Sequence, residues 1–202
     1  MEKEKFVNGL LSNIAYLPDE EFTKIEEKQK ADKAESLESM FIARTPSRYK
    51  DVKFTGDPNL LEAQRAVIYG PYGTGKTYLG YSIARELFVA GRVKDFQVVR
   101  ERELYNLIIE AQANKSMGQV REKFFHTGLL VIDEYGKNPQ TDAATSQIFN
   151  IIDYRYDWEL RTILICNADN GAELKKIVPE AIQDRFIGST HFLGGGSRRV
   201  AE

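Results

Sequence analysis

The eight residues Gly70-Pro71-Tyr72-Gly73-Thr74-Gly75-Lys76-Thr77 leave this chain few folds to choose from. They satisfy the pattern GxxxxGK[ST] at every fixed position, and that pattern works only between a strand and a helix. Its glycines let the backbone turn sharply and bring main-chain N–H groups against phosphate oxygens. Lys76 supplies a point charge for the outer phosphates, and Thr77 offers a hydroxyl to Mg2+. A helix starting here aims its positive end at the same anion. The flanks agree with the motif. Ala66-Val67-Ile68-Tyr69 is a short apolar run that reads as a buried strand. Thr77 to Ala90 reads as a helix with Leu79, Ile83, Leu87 and Phe88 on one face. The expected nucleotide-binding set runs through Gly70, Pro71, Tyr72, Gly73, Thr74, Gly75, Lys76, Thr77 and Tyr78.

Strand and helix signals alternate beyond this point. Phe96-Gln97-Val98-Val99 reads as a second strand, Leu129 to Ile132 as a third and Thr162 to Cys166 as a fourth. Between them, helices are expected at Glu103 to Ala113, Ser116 to His126 and Ala143 to Tyr156, with short ones at Ala172–Ile177 and Pro179–Phe186. This alternation implies an α/β fold with a parallel sheet covered on both faces, and ligands at the carboxyl ends of its strands.

The strand Leu129-Leu130-Val131-Ile132 runs into Asp133-Glu134. Burying the strand puts both carboxylates beside the phosphate loop. Asp133 would then hold Mg2+ with Thr77, directly or through water, and Glu134 would activate the attacking water. In isolation the same residues read equally well as a strand reaching a solvated turn; their order after a phosphate loop favours the catalytic reading. Asn167 follows the fourth strand, where it either senses the γ-phosphate or serves the turn into Ala168-Asp169-Asn170-Gly171. Arg185 is a candidate arginine finger for a neighbouring subunit's nucleotide, and Arg198 or Arg199 for the chain's own, each against the ordinary reading of a surface arginine.

Composition narrows the partners. A chain of 202 residues suggests one main domain with a small appendage, and a net charge of −2 excludes a protein that coats DNA through its global field. The single cysteine, Cys166, sits in an apolar run and reads as a buried strand residue, so no disulfide framework or zinc spacing exists. No signal peptide or apolar span of membrane-crossing length is visible, and a soluble cytoplasmic protein with no membrane partner is expected. At the amino terminus, Phe6, Val7, Leu10, Leu11, Ile14 and Leu17 recur at helical spacing up to Pro18. That helix would dock either on a partner or on its own domain. Asp19 to Met40 is densely charged and reads as a solvated helix or linker. Residues 1–44 are expected to form a helical extension and 45–202 the nucleotide-binding domain. Arg100, Arg102, Lys115, Arg121 and Lys123, with Tyr105 and Phe124, form either a patch that grips single-stranded DNA or a solvated helical face interleaved with Glu101, Glu103, Glu110 and Glu122.

The order of these motifs resembles the DnaC/DnaI-type helicase loaders, a branch of the AAA+ ATPases that also includes the IstB transposition helpers. The resemblance covers roughly Ala43 to Ala201. It is carried by Thr45-Pro46-Ser47-Arg48-Tyr49, the phosphate loop, the Leu129–Gly136 acid motif, Ile151-Ile152-Asp153-Tyr154-Arg155-Tyr156, Thr162–Asn167, Asp184-Arg185-Phe186 and Gly196-Ser197-Arg198-Arg199. It implies a three-layer P-loop NTPase domain of the AAA+ type with little or no helical lid and a short helical amino-terminal extension. It further implies an ATPase using ATP and Mg2+, slow and stimulated by DNA or partner, with catalytic residues Glu134, Asp133, Lys76, Asn167 and Arg185. Arg199 becomes the better second-sensor candidate. The implied partners are a hexameric replicative DNA helicase and single-stranded DNA, with self-assembly in ATP during replication initiation. An IstB-like transposition helper is the same-class alternative, and a nucleotide-switched binding protein with negligible turnover is the different-class one. Some loaders carry a zinc-binding amino-terminal domain; this chain has no ligands for one.

Overall fold

The structure, a computed structural model, describes residues 19–137 and 142–196. The apolar stripe from Phe6 to Leu17 and the arginines Arg198 and Arg199 lie outside the described residues.

The fold is built on apolar strands too buried to show polar alternation. Five strands form one parallel sheet: β1 (Arg65–Gly70), β2 (Phe96–Arg100), β3 (Leu129–Tyr135), β4 (Arg161–Asn167) and β5 (Thr190–Phe192), in the order β2-β3-β4-β1-β5. The helices are α1 (Asp19–Arg44), α2 (Asn59–Glu62), α3 (Lys76–Val89), α4 (Glu101–Ala113), α5 (Met117–Val120), α6 (Asp142–Asp157), α7 (Gly171–Ile177) and α8 (Glu180–Arg185).

Strand periodicity sorts the core into two layers. Ala66, Ile68, Leu129, Val131, Ile163 and Ile165 meet Leu79, Ile83, Leu87 and Phe88 of α3 on one face. Val67, Leu130, Ile132, Leu164 and Cys166 meet α4, α6, α7 and α8 on the other, through Leu104, Ile108, Ile148, Ile152, Leu174 and Ile182. The result is the expected α/β sandwich of helices, sheet and helices. β3 lies second in the sheet, and Leu129, Leu130, Val131 and Ile132 are all fully buried. Each such side chain contributes about 1.5–3 kcal/mol of burial, so the strand that delivers the acids is among the most firmly seated. Cys166 is buried as expected, and burial pushes its thiol up to about 12, which makes it inert at neutral pH.

The structure refines one sequence expectation, the solvated helix from Asp19, and departs from three others. Asp19 to Arg44 is one continuous helix, and its end belongs to the sandwich: Phe41 is 0 % exposed and meets Phe96 in a tilted ring contact at 5.3 Å, while Arg85 pairs with Glu38 at 2.9 Å. The expected helix from Ser116 to His126 is instead the single turn α5 followed by a π-helical turn at Arg121–Phe125. The third strand does not stop at Ile132 but carries Asp133 and Glu134 within it. A fifth strand, β5, was not legible; it is three residues long, sits at the sheet edge and is largely exposed, so Thr190-His191-Phe192 lacks the apolar run that marks the others.

Arg155 pins the lower end of this sheet. It is 0 % exposed and donates to Thr162 Oγ1 at 2.9 Å, to the carbonyls of Phe124 and Phe125 at 3.1 Å each, of Thr127 at 2.8 Å and of Arg161 at 2.6 Å. It thereby ties α6 to the π turn and to the starts of β3 and β4. Burial lowers its pKa to about 10, which leaves it charged at neutral pH.

Candidate functional site

β1 ends at Gly70 and α3 begins at Lys76, so the five residues between them must reverse the chain over the sheet's carboxyl edge. Gly73 (φ 83°) and Gly75 (φ 95°) make that turn with left-handed backbone, which glycine adopts without strain. Thr74 is buried and donates to the Pro71 carbonyl at 3.0 Å, which braces the loop from inside. Lys76 folds back on the loop, donating to the carbonyls of Gly70 at 2.8 Å and Pro71 at 2.6 Å. An anion arriving in the loop offers this ammonium a charged partner in place of two neutral ones.

The acids approach from β3. Thr77 Oγ1 donates to Asp133 Oδ2 at 2.9 Å, so the two hydroxyl and carboxylate oxygens expected to meet Mg2+ do lie side by side. Asp133 is 6 % exposed; desolvation raises its pKa, opposed by the hydrogen bonds from Thr77 and from the Glu134 N–H. A hard oxygen pair on a buried carboxylate suits a divalent cation that keeps several waters, so Thr77 and Asp133 fit Mg2+.

Glu134 occupies left-handed backbone at φ 55°, where a non-glycine residue costs on the order of 1–2 kcal/mol. Its Oε1 accepts from Lys137 Nζ at 2.9 Å, and Lys137 also lies over the Tyr72 ring at 5.8 Å. The Glu134 carboxylate raises the Lys137 pKa.

These groups converge on one cleft of about 340 Å3, lined by Tyr72, Gly73, Gly75, Lys76, Thr77, Tyr78, Asp133, Glu134 and Asn167 together with Arg48 and Tyr49. Asn167 is the last residue of β4, opposite Gly70 in register. Tyr78 accepts from the Lys53 N–H at 2.9 Å, which fixes the loop before α2 against the pocket. Arg48 and Tyr49 were singled out in sequence only as part of an entry segment; the structure puts both on the pocket wall, with Tyr49 stacked on Tyr81 at 4.4 Å. No short-range pattern links them to the phosphate loop, because a turn of 3-10 helix after α1 brings them there.

Arg185 does not join this pocket. Its guanidinium donates through Nε to Asp153 Oδ1 at 2.7 Å and also pairs with that oxygen through a second nitrogen. It lies over the rings of Phe149 at 4.9 Å and Tyr156 at 5.6 Å. Contact with a neighbouring subunit's nucleotide would require it to leave Asp153. Phe124 is 1 % exposed and Tyr105 packs against the core, so neither presents a free ring beside the basic residues of 100–123. Among the described residues no helix is long and apolar enough to cross a membrane.

Comparison with known proteins agrees with this architecture. The chromosomal replication initiator protein DnaA of Lactiplantibacillus plantarum is 24% identical over 119 residues, which is 59% of this chain and 25% of that protein. The chain thus spans a quarter of that relative's length. Among solved structures, the DnaC helicase loader superposes with a TM-score of 0.59 at 16% identity, covering 83% of this chain and 90% of that one. DnaI superposes with a TM-score of 0.52 at 18% identity, covering 93% and 90%. DnaA of Aquifex aeolicus, bound to AMPPCP, superposes with a TM-score of 0.56 at 20% identity, covering 66% and 43%. At these identities the likenesses establish the three-layer α/β fold. The model of the IstB-like ATP binding proteins matches residues 41–197, from the end of α1 past β5, and so takes in the whole pocket. The chain belongs to the family of IstB-like ATP binding proteins.

Proposed function

We propose that this protein is an ATPase that loads a hexameric replicative DNA helicase onto single-stranded DNA. The observation that carries the chemistry is the convergence of Lys76, Thr77, Asp133, Glu134 and Asn167 on one cleft. Lys76 exchanges its carbonyl partners for the outer phosphates of ATP. Thr77 and Asp133 hold Mg2+, which supplies charge neutralisation on the phosphates. Glu134 accepts the proton of the attacking water, and Asn167 orients that water against the γ-phosphate. Arg185 of one copy acts on the nucleotide of the next, and Arg199 acts on its own. Support for a loader comes from the near end-to-end superposition on the DnaC helicase loader and DnaI.

The family match favours one second reading, a helper ATPase for a transposase. Purified hexameric helicase retained on the immobilised protein in ATP supports the loader. No retention of the helicase, with retention of a transposase, supports the helper. In that experiment a shortened chain should begin before Leu37, because Leu37, Glu38 and Phe41 pack on the ATPase domain.

Single-stranded DNA is expected to meet the basic residues of 100–123. Replacing Lys115, Arg121 and Lys123 with Ala should weaken binding of an oligothymidine. It should also flatten the slope of log K against log salt by about 2, since each lost phosphate contact on a single strand contributes about 0.7. An unchanged slope moves the DNA contact elsewhere, with Lys175 and Lys176 at the end of α7 the next to test.

A further inference from the structure

Consecutive residues of a regular strand point to opposite faces of the sheet. Asp133 and Glu134 are consecutive residues of β3, yet both line the nucleotide pocket. The backbone achieves this with an irregularity: the register between β3 and β4 shifts between Ile132 and Tyr135, and Glu134 takes left-handed backbone. Strained backbone of this kind persists only where its surroundings hold it.

Two carboxylates supply that hold, each accepting from a main-chain N–H. Asp133 Oδ1 accepts from the Glu134 N–H at 2.8 Å. Glu101 Oε2 accepts from the Gly136 N–H at 3.1 Å. The first is local to the strand. The second reaches across from α4, whose first residue is Glu101, immediately after Arg100 of β2, which lies opposite Asp133 in register. On the far side of the turn, a Cβ added to Gly136 would stand 2.1 Å from Ile177 Cγ2, so the turn is wedged between Glu101 and α7. Glu101 is 1 % exposed and does not itself line the pocket. A carboxylate that deeply buried is costly and would serve poorly as a mere packing group.

We propose that Glu101 is a positioning residue for ATP hydrolysis: by holding the Gly136 end of the irregularity, it keeps the Glu134 carboxylate turned to the nucleotide. This rests on the reading of Glu134 as the group that activates water. Phosphate binding uses the loop at Gly70–Thr77 and is independent of Glu101, so the effect falls on turnover and not on affinity. A side-chain acceptor for the Gly136 N–H is what the turn requires, and a glutamine carboxamide oxygen still provides one.

The experiment measures kcat for ATP hydrolysis and the Kd of a fluorescent ATP analogue in the full chain, for wild type, Glu101→Gln, Glu101→Ala and Glu101→Asp. The aspartate keeps the charge but is one methylene short of Gly136. Glu101→Gln is expected within about threefold of wild-type kcat. Glu101→Ala and Glu101→Asp are expected to lose about 10- to 100-fold, the scale of a catalytic group displaced by about 1 Å, with Kd within about twofold. Should Glu101→Ala not fold, the Asp and Gln variants decide the matter between them. Wild-type kcat in Glu101→Asp, or an equal loss in Glu101→Gln, overturns the positioning role alone. A wild-type protein that binds the analogue and turns over no ATP overturns both this role and the ATPase reading beneath it.

Discussion

Glu134→Gln is expected to bind ATP within about threefold of wild type and to hydrolyse it about 10²–10⁴-fold more slowly, the range a positioned general base contributes. The separation follows from the geometry. Thr77 and Asp133, which would hold Mg2+, touch each other and do not depend on the Glu134 side chain. The Glu134 N–H on Asp133 is a main-chain contact, which the substitution leaves in place. A glutamine is the same size, so it preserves the packing at φ 55° while removing the base. Lys76→Ala should fail one step earlier. It deletes a charged donor to the phosphates, worth about 1.5–3 kcal/mol, and should raise the ATP Kd about 10- to 100-fold. Isothermal titration with ATP and a steady-state phosphate-release assay on both variants check the pair. Wild-type turnover by Glu134→Gln would remove the role assigned to it.

Arg155→Met should cost about 4 kcal/mol or more, a large share of the roughly 5–15 kcal/mol that holds an ordinary domain together. The side chain donates to four main-chain carbonyls and one hydroxyl, all at the buried junction of α6, the π turn, β3 and β4. Methionine fills the volume and satisfies none of them, and each buried acceptor left bare costs about 1–3 kcal/mol. Arg155→Lys should rescue little, because one ammonium cannot reach acceptors that the planar guanidinium serves on several sides. Thermal unfolding followed by far-ultraviolet circular dichroism reads the effect. A melting temperature within a few degrees of wild type would show that the carbonyls find other partners.

Arg155 also marks what a sequence conceals. The phosphate loop was legible because its function depends on a fixed local string, and four of the five strands were legible because burial on both faces makes them apolar runs. Asp133 could be joined to Thr77 because Asp133 lies near the carboxyl end of β3 and Thr77 lies at the start of the helix that follows β1, so a parallel sheet brings both to the same edge. Arg155, Glu101 and Tyr49 act through contacts made far along the chain, to Thr127, Gly136 and Tyr81 respectively. Arg155 and Tyr49 were marked only within the motifs that carry the family resemblance, which assigned them no contact, and nothing local distinguished Glu101 from a solvated acid. Glu101 in particular counted among acids interleaved with a basic patch, whereas the structure buries it beneath the acid strand. The π turn at Arg121–Phe125 falls within the stretch Ser116 to His126 expected as one helix; there the carbonyls of Phe124 and Phe125 accept from Arg155, a contact no local pattern announces.

The central claim is that ATP in this pocket drives delivery of a helicase to DNA. The direct measurement is the amount of purified hexameric replicative helicase left on circular single-stranded DNA coated with single-strand-binding protein, after incubation with this protein and ATP. Wild type is expected to raise that amount severalfold over helicase alone, and Lys76→Ala to leave it at the level of helicase alone. Helicase loading that is the same with and without the protein, while the protein binds and hydrolyses ATP normally, would contradict the account.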